Sequence, residues 1–330
     1  MKIIVFGATG TVGAYTSVIL KEKGYEVVAV GRRKSDNGFF NDYGIPYYSV
    51  DITKKVDFQN LANESGIDAI VHLAGVMPAQ MEGYDPQQYI DSVITGTLNV
   101  LDFAVQKGAQ KIVFVTSRAD SNYLMGKEPI PSDIVKKFPL NSDHSVYSIC
   151  KNAAVDLIEH YYHKYGLKRY VLRFTTVYAY HPNKFFYVNG IKKPMAYRYI
   201  MDQAMAGNDI EVWGDPTKGK EIVYVEDAVQ LIEKSLLAEC DGGIYNLGRG
   251  IPVTLDEQIK GIIEVFSKPG HESKLVYRPD KPDAREYVND ISKPMKELGY
   301  KPQFDYIEGL KALKHEMEIQ RFAKLWGKEE

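Results

Sequence analysis

Directly after the opening apolar run MKIIVF stand three glycines in the stretch GATGTVG: Gly7, Gly10 and Gly13. Glycines at this spacing let a chain leave a strand through a tight turn. They also let its backbone approach a pyrophosphate whose charge rests on the N-terminus of the next helix. The flanks supply both elements. KIIVFG reads as a buried strand, and TVGAYTSVILKEKG reads as a helix ended by Gly24. The stretch therefore points to dinucleotide binding by Gly7, Thr9, Gly10, Thr11, Val12 and Gly13.

The pattern continues for half the chain. EVVAVG, PYYSV, AIVHLAG, KIVFVTS and RYVLRF read as further strands, separated by helical stretches such as DPQQYIDSVITGTLNVLDFAVQKG and SVYSICKNAAVDLIEHYYHKYG. Strand–helix alternation means parallel strands joined by right-handed crossovers with helices on both faces. The expected class is α/β: a Rossmann-type doubly wound parallel sheet with a smaller C-terminal substrate-binding lobe. Residues 1–175 should form the dinucleotide-binding unit, completed by about 222–247, and residues 176–221 and 248–330 the lobe. In that lobe the aromatic, Pro- and Gly-broken stretch YAYHPNKFFYVNGIKKP reads as a binding loop, and the tail as a helix from Tyr306 to Trp326.

Composition narrows the partners. With a net charge of -2 over 330 residues, neither nucleic acid nor an anionic membrane is expected. Two distant cysteines, Cys150 and Cys240, make no disulfide framework and no metal spacing. His160 and His163 share a helical face but have no acidic or thiol partner at ligand spacing, so no metal is expected. The chain opens on a strand rather than a signal peptide, and no apolar run nears the roughly 18 residues of a membrane span. A cytoplasmic protein is the expectation.

The end of the second strand bears on the cofactor. A carboxylate there would accept hydrogen bonds from a free ribose 2′-hydroxyl, whereas here Gly31 is followed by Arg32 and Arg33. Guanidiniums favour a 2′-phosphate, so NADP(H) is expected ahead of NAD(H). Asp51 and Ile52 close the third strand beside the adenine, while Leu73, Ala74 and Gly75 close the fourth against the pyrophosphate and the nicotinamide ribose.

Tyr-x-x-x-Lys occurs at Tyr123, Tyr147, Tyr180 and Tyr277, and among 24 tyrosines accidental matches are expected. Only Tyr147 stands on a sustained helix, where the four-residue spacing puts Lys151 on the same face. An ammonium there should lower the phenol pKa toward working pH. Ser117 ends the fifth strand at the edge of the sheet where ligands bind, with a hydroxyl able to hold a substrate oxygen. Ser117, Tyr147 and Lys151 are the candidate catalytic residues.

With these motifs the chain resembles the extended short-chain dehydrogenase/reductases, in particular the epimerase/dehydratase branch that contains UDP-galactose 4-epimerase. LRFTTVY, VWGDPTKGKEIVYVEDA, GGIYNLG and NDISKPMKELGYKP carry the resemblance to nearly the whole chain. It implies a nucleotide-sugar held by the C-terminal lobe, and usually a homodimer, for which the two long helices are candidate interfaces.

Several positions depart from the family pattern. Arg118 and Ala119 replace the Asp-Glu pair of the dehydratases, which removes the acid needed for water elimination. Thr176 and Thr95 stand where asparagines are usual, and Lys220 where an arginine often binds the diphosphate. Arg278 is a second candidate cation, and Arg118 is placed to contact an acidic group on the substrate. The leading expectation is a nucleotide-sugar 4-epimerase working through a 4-keto intermediate. The alternative is an NADPH-dependent reductase of a ketosugar or other small carbonyl compound, and a non-catalytic binder is disfavoured by the intact Ser117, Tyr147 and Lys151 set.

Overall fold

The computed structural model describes residues 1–78, 83–142, 144–188 and 190–328. Strands β1 (Lys2–Phe6), β2 (Glu26–Gly31), β3 (Tyr47–Ser49), β4 (Ala69–His72) and β5 (Lys111–Ser117) form one sheet with Lys168–Phe174 and Gly242–Asn246. The spatial order is Gly242–Asn246, Lys168–Phe174, β5, β4, β1, β2, β3, and every pairing is parallel. Successive crossovers run outward from β1 in one direction to β3 and in the other to Gly242–Asn246. The crevice between β1 and β4 is thus the switch point, where such sheets bind ligands.

Alternate side chains of each strand feed opposite cores. Ile3 and Val5 of β1 pack on one face with helix α1 (Thr11–Glu22) and helix Val225–Leu237, while Ile4 and Phe6 face the other. That second core holds Val100, Leu101 and Phe103, and Cys150, Ala154 and Ile158 of helix Ser145–Tyr165. Strands covered on both faces read as continuous apolar runs, which is why they were legible in the sequence. Burying each such Val, Ile or Phe contributes about 1.5–3 kcal/mol.

Two helices differ from expectation. The stretch between β4 and β5 is not one α-helix: Pro86–Tyr89 leads into a π turn at Ile90–Thr95, and α-helix resumes at Gly96–Gln106. Downstream of that turn, Gly96 meets Ile52 so closely that a Cβ would lie 2.6 Å from its Cδ1, and Asn99 donates to the Ile52 carbonyl at 2.8 Å. The tail helix stops at Ile319, because Gln320 turns left-handed (φ 47°) before the short helix Ala323–Trp326. The break lets Phe322 pack on Tyr15 with ring centroids 4.5 Å apart.

Outside the seven-stranded sheet the chain forms short paired strands. Thr176–Tyr178 lies parallel to Ile222–Tyr224, Ile210–Trp213 parallel to Leu275–Arg278, and Gly219–Lys220 antiparallel to Val253–Thr254. Helices Ala196–Ala206, Leu255–Phe266 and Tyr306–Ile319 pack around them. The last two start with reciprocal Thr254/Glu257 and Asp305/Glu308 caps, which satisfy backbone N–H groups the helix itself leaves open. The stretch read as a binding loop contains a hairpin, Phe185–Val188 with Ile191–Pro194. Its Asn189 lies outside the described residues, as do Glu329 and Glu330. Among the described residues no helix is long and apolar enough to cross a membrane.

Candidate active site

The glycine loop has two packed glycines and one open one. Gly7 has φ 86°, and a Cβ there would lie 2.7 Å from the Ala74 nitrogen. At Gly13 a Cβ would fall 2.0 Å from the Gly7 carbonyl, so both positions must be glycine for the turn and α1 to touch. At Gly10 the nearest heavy atom would be 3.4 Å away, and that residue caps α1 with no side chain occupying its first N–H groups. A helix N-terminus left open beside a cradle that only glycine leaves clear fits a dinucleotide pyrophosphate. Thr11 and Val12 begin α1, and Leu73, Ala74 and Gly75 follow β4 on the neighbouring side, with the Leu73 N–H donating to Phe6 at 2.9 Å. Asp51 is partly engaged locally, its carboxylate accepting from the Thr53 N–H and hydroxyl at 3.1 and 2.8 Å.

Ser117, Tyr147 and Lys151 meet at the carboxyl edge of the sheet. Ser117 ends β5 and caps the 3-10 helix Arg118–Leu124, accepting from the Ala119 N–H at 3.2 Å. Tyr147 is buried against the edge of Tyr89, ring centroids 5.8 Å apart. Burial pushes its phenol pKa well up, and a hydrogen bond with Ser117 pulls the other way. Lys151 acts differently from the sequence expectation. Its ammonium donates to the Val115 carbonyl at 2.8 Å, lies over the Phe114 ring, and stands 6.0 Å from the centre of the Tyr147 ring. The shared helical face holds, but the long lysine stem runs back toward β5, and burial pushes its pKa down to about 8. Nearby His72 is fully buried with its pKa pushed to about 3, so it stays neutral, with Nε2 3.0 Å from Thr97.

Behind this edge lies an ion pair that the sequence did not disclose. Arg173, at the end of the strand beside β5, is 2% exposed and donates to Asp120 at 3.1 Å, to the Ser132 carbonyl at 2.8 Å and to Asn246 at 2.9 Å. It fastens the 3-10 helix that carries Arg118 to the sheet.

A cavity of about 320 Å³ opens beside Arg118. Its wall includes Arg118, Thr176, Lys220, Arg285 and Tyr287. The Arg118 guanidinium lies 3.9 Å over the Tyr287 ring, whose hydroxyl is 2.7 Å from Thr176. Burial lowers the pKa of Arg118, and it lowers that of Lys220, which also feels the charges of Arg118 and Arg285. Arg278 is not part of this wall. It sits on the strand Leu275–Arg278, paired to Glu211 at 2.7 Å and Asp280 at 3.1 Å. A further cation that lines the cavity, Arg285, stands just upstream of the NDISKP stretch, and counting back from that motif would have found it.

A buried phenol beside Ser117 at the carboxyl edge of the sheet, a glycine loop and a cation-lined cavity fit a dinucleotide and an anionic organic ligand. Residues 3–248 match the NAD dependent epimerase/dehydratase family, and the chain belongs to that family. It is 27% identical to the UDP-glucuronate 4-epimerase of Thermodesulfobacterium geofontis over 319 residues, covering 93% of each chain. Among solved structures it is similar to the UDP-glucose 4-epimerase of Thermotoga maritima in complex with UDP-glucose, with a TM-score of 0.78, 23% identity, and 97% and 99% coverage. It is also similar to a variant UDP-glucuronic acid 4-epimerase of Bacillus cereus bound to a fluorinated UDP-sugar and NAD, with a TM-score of 0.76, 20% identity, and 97% and 100% coverage.

The cofactor expectation is corrected by the Bacillus cereus neighbour and by the similar UDP-glucose 4-epimerase of Thermus thermophilus, since NAD is the dinucleotide bound in both, not NADP. The structure supplies the reason the basic pair misled. Arg33 donates to the Leu325 carbonyl at 2.8 Å and so ties down the tail, while Arg32 is exposed. With the NADP preference goes the reductase alternative that leaned on it.

Proposed function

We propose that the protein is an NAD-dependent nucleotide-sugar 4-epimerase. The observation that carries the reading is the buried Tyr147 hydrogen-bonded to Ser117 at the sheet edge, next to a cation-lined cavity. Family membership and the UDP-sugar 4-epimerase relatives support it. The glycine loop Gly7–Gly13 and the ends of β3 and β4 hold the NAD, with Lys151 next to its nicotinamide ribose. NAD, when bound, would supply hydride acceptance and return at sugar C4, together with a positive charge.

The chain's own residues handle the proton. Ser117 holds the C4 oxygen in line with Tyr147. Tyr147, as phenolate, takes the hydroxyl proton and later returns it to the same oxygen after the sugar has turned over. Burial holds that phenol protonated, and the positive charge that NAD would supply when bound, with Lys151 close by, would lower its pKa. Lys220 and Arg285 neutralise the diphosphate, and Thr176 and Tyr287 floor the sugar site. The segments 176–221 and 248–330 form the substrate lobe, and the site works inside the cytoplasm. The exposed Ile90 and Leu98, between β4 and β5, and Ile149, on helix Ser145–Tyr165, support a homodimer.

The test is direct. Purified protein with NAD and a UDP-hexose or UDP-hexuronate should give the C4 epimer by proton NMR. The reading fails if the starting sugar is recovered unchanged from both while NAD is bound.

A further inference from the structure

The cavity holds more positive charge than a diphosphate needs. Arg118, Lys220 and Arg285 all face it, and no Asp or Glu lines it among the described residues. A UDP-sugar diphosphate is a dianion, matched by Lys220 and Arg285 from the lobe. Arg118 is left over. It has no acidic partner among the described residues, one of its terminal nitrogens is buried with no hydrogen bond, and its pKa is depressed by burial. Leaving a guanidinium so is costly unless the substrate completes it.

Position says which part of the substrate does so. Arg118 directly follows Ser117, which faces Tyr147, so it lies at the reacting end of the sugar. In a pyranose the diphosphate leaves from C1, across the ring from C4, whereas the C5 substituent adjoins C4. The charge nearest Arg118 is therefore the one on C5. Stacking on Tyr287 holds the guanidinium flat, and Asp120, two residues on, is locked to Arg173, so the fork is presented on a rigid support. A planar fork suits a carboxylate bidentately.

We propose that Arg118 is the specificity-determining residue of this site, and that the sugar it selects is a hexuronate whose C5 carboxylate it binds. This deepens, and rests on, the 4-epimerase reading. A neutral UDP-hexose fills the same cavity but leaves Arg118 unpaired.

The test compares dissociation constants by calorimetry for UDP-glucose and UDP-glucuronate on the NAD-bound protein. In the wild type the uronate should bind at least about tenfold tighter. Arg118→Met keeps the apolar stem on Tyr287 and should bring that ratio near one, and Arg118→Lys, with charge but no fork, should fall between. A wild-type ratio near one overturns the proposal without relying on any variant, and so does a ratio that survives Arg118→Met in a folded protein. C4 exchange in the same samples separates the two readings. Selective, Arg118-dependent uronate binding with no C4 epimer would sink the epimerase reading and leave this one standing. Epimerisation of both sugars with equal affinity would do the reverse.

Discussion

Tyr147 and Lys151 were legible because four residues along a helix bring two side chains to one face, whatever surrounds them. What the lysine touches was not legible: its ammonium reaches Val115, on a strand more than thirty residues earlier in the chain. Arg33 makes the same point more strongly. A basic residue after β2 reads locally as a phosphate ligand, yet its partner Leu325 is at the other end of the sequence. Tyr147→Phe should lower turnover by about a hundredfold or more while NAD affinity, read by fluorescence titration, stays within a few fold. Retained turnover would remove Tyr147 from the proton path.

At the scale of elements, the 3-10 helix after Ser117 depends on one buried pair. Asp120→Asn leaves Arg173 buried with a weakened partner and should cost about 3 kcal/mol in urea unfolding. It should also loosen Ser117 and Arg118 together, lowering turnover more than NAD binding. The strand turn beside Lys220 carries a different burden. Glu221 is fully buried, and its pKa is pushed up to about 7 because desolvation outweighs the Gly250 and Arg249 N–H groups that donate to it. A carboxyl raised in the folded state stabilises below its unfolded pKa, and that contribution is lost as pH rises through about 7. Glu221→Gln should therefore be more stable than wild type at pH 8, by on the order of 3 kcal/mol, with the gap closing toward pH 4. Equal stabilities at pH 8 would show the carboxyl is not strained by burial. The elements themselves came through in the sequence where local rules decide them. The π turn did not, since Ile90–Thr95 looks like ordinary helix until Gly96 has to meet Ile52.

The whole molecule is closed by its tail. Trp326 donates from its indole to the Thr9 carbonyl at 2.9 Å, Arg33 and Asn37 donate to Leu325 and Lys324, and Phe322 fills the face of α1. The last helix thus braces the phosphate loop from behind. Removing residues 321–330 should lower the melting temperature and weaken NAD binding by about tenfold, and Trp326→Ala should reproduce part of the binding loss. Unchanged NAD affinity in the shortened chain would show that the brace is structural only. A parallel sheet with its ligand crevice could be read from alternation and three glycines. The tail contacts could not, because each joins residues roughly three hundred apart and leaves no periodic trace.

The central claim is a closed cycle in which the hydrogen removed from C4 returns to C4. UDP-glucuronate carrying deuterium at C4, incubated with the NAD-bound protein in ordinary water, tests it most directly. The account predicts that the epimer forms with its deuterium still at C4 and with no net build-up of NADH. Deuterium lost to water, or NADH accumulating with the product, would contradict it.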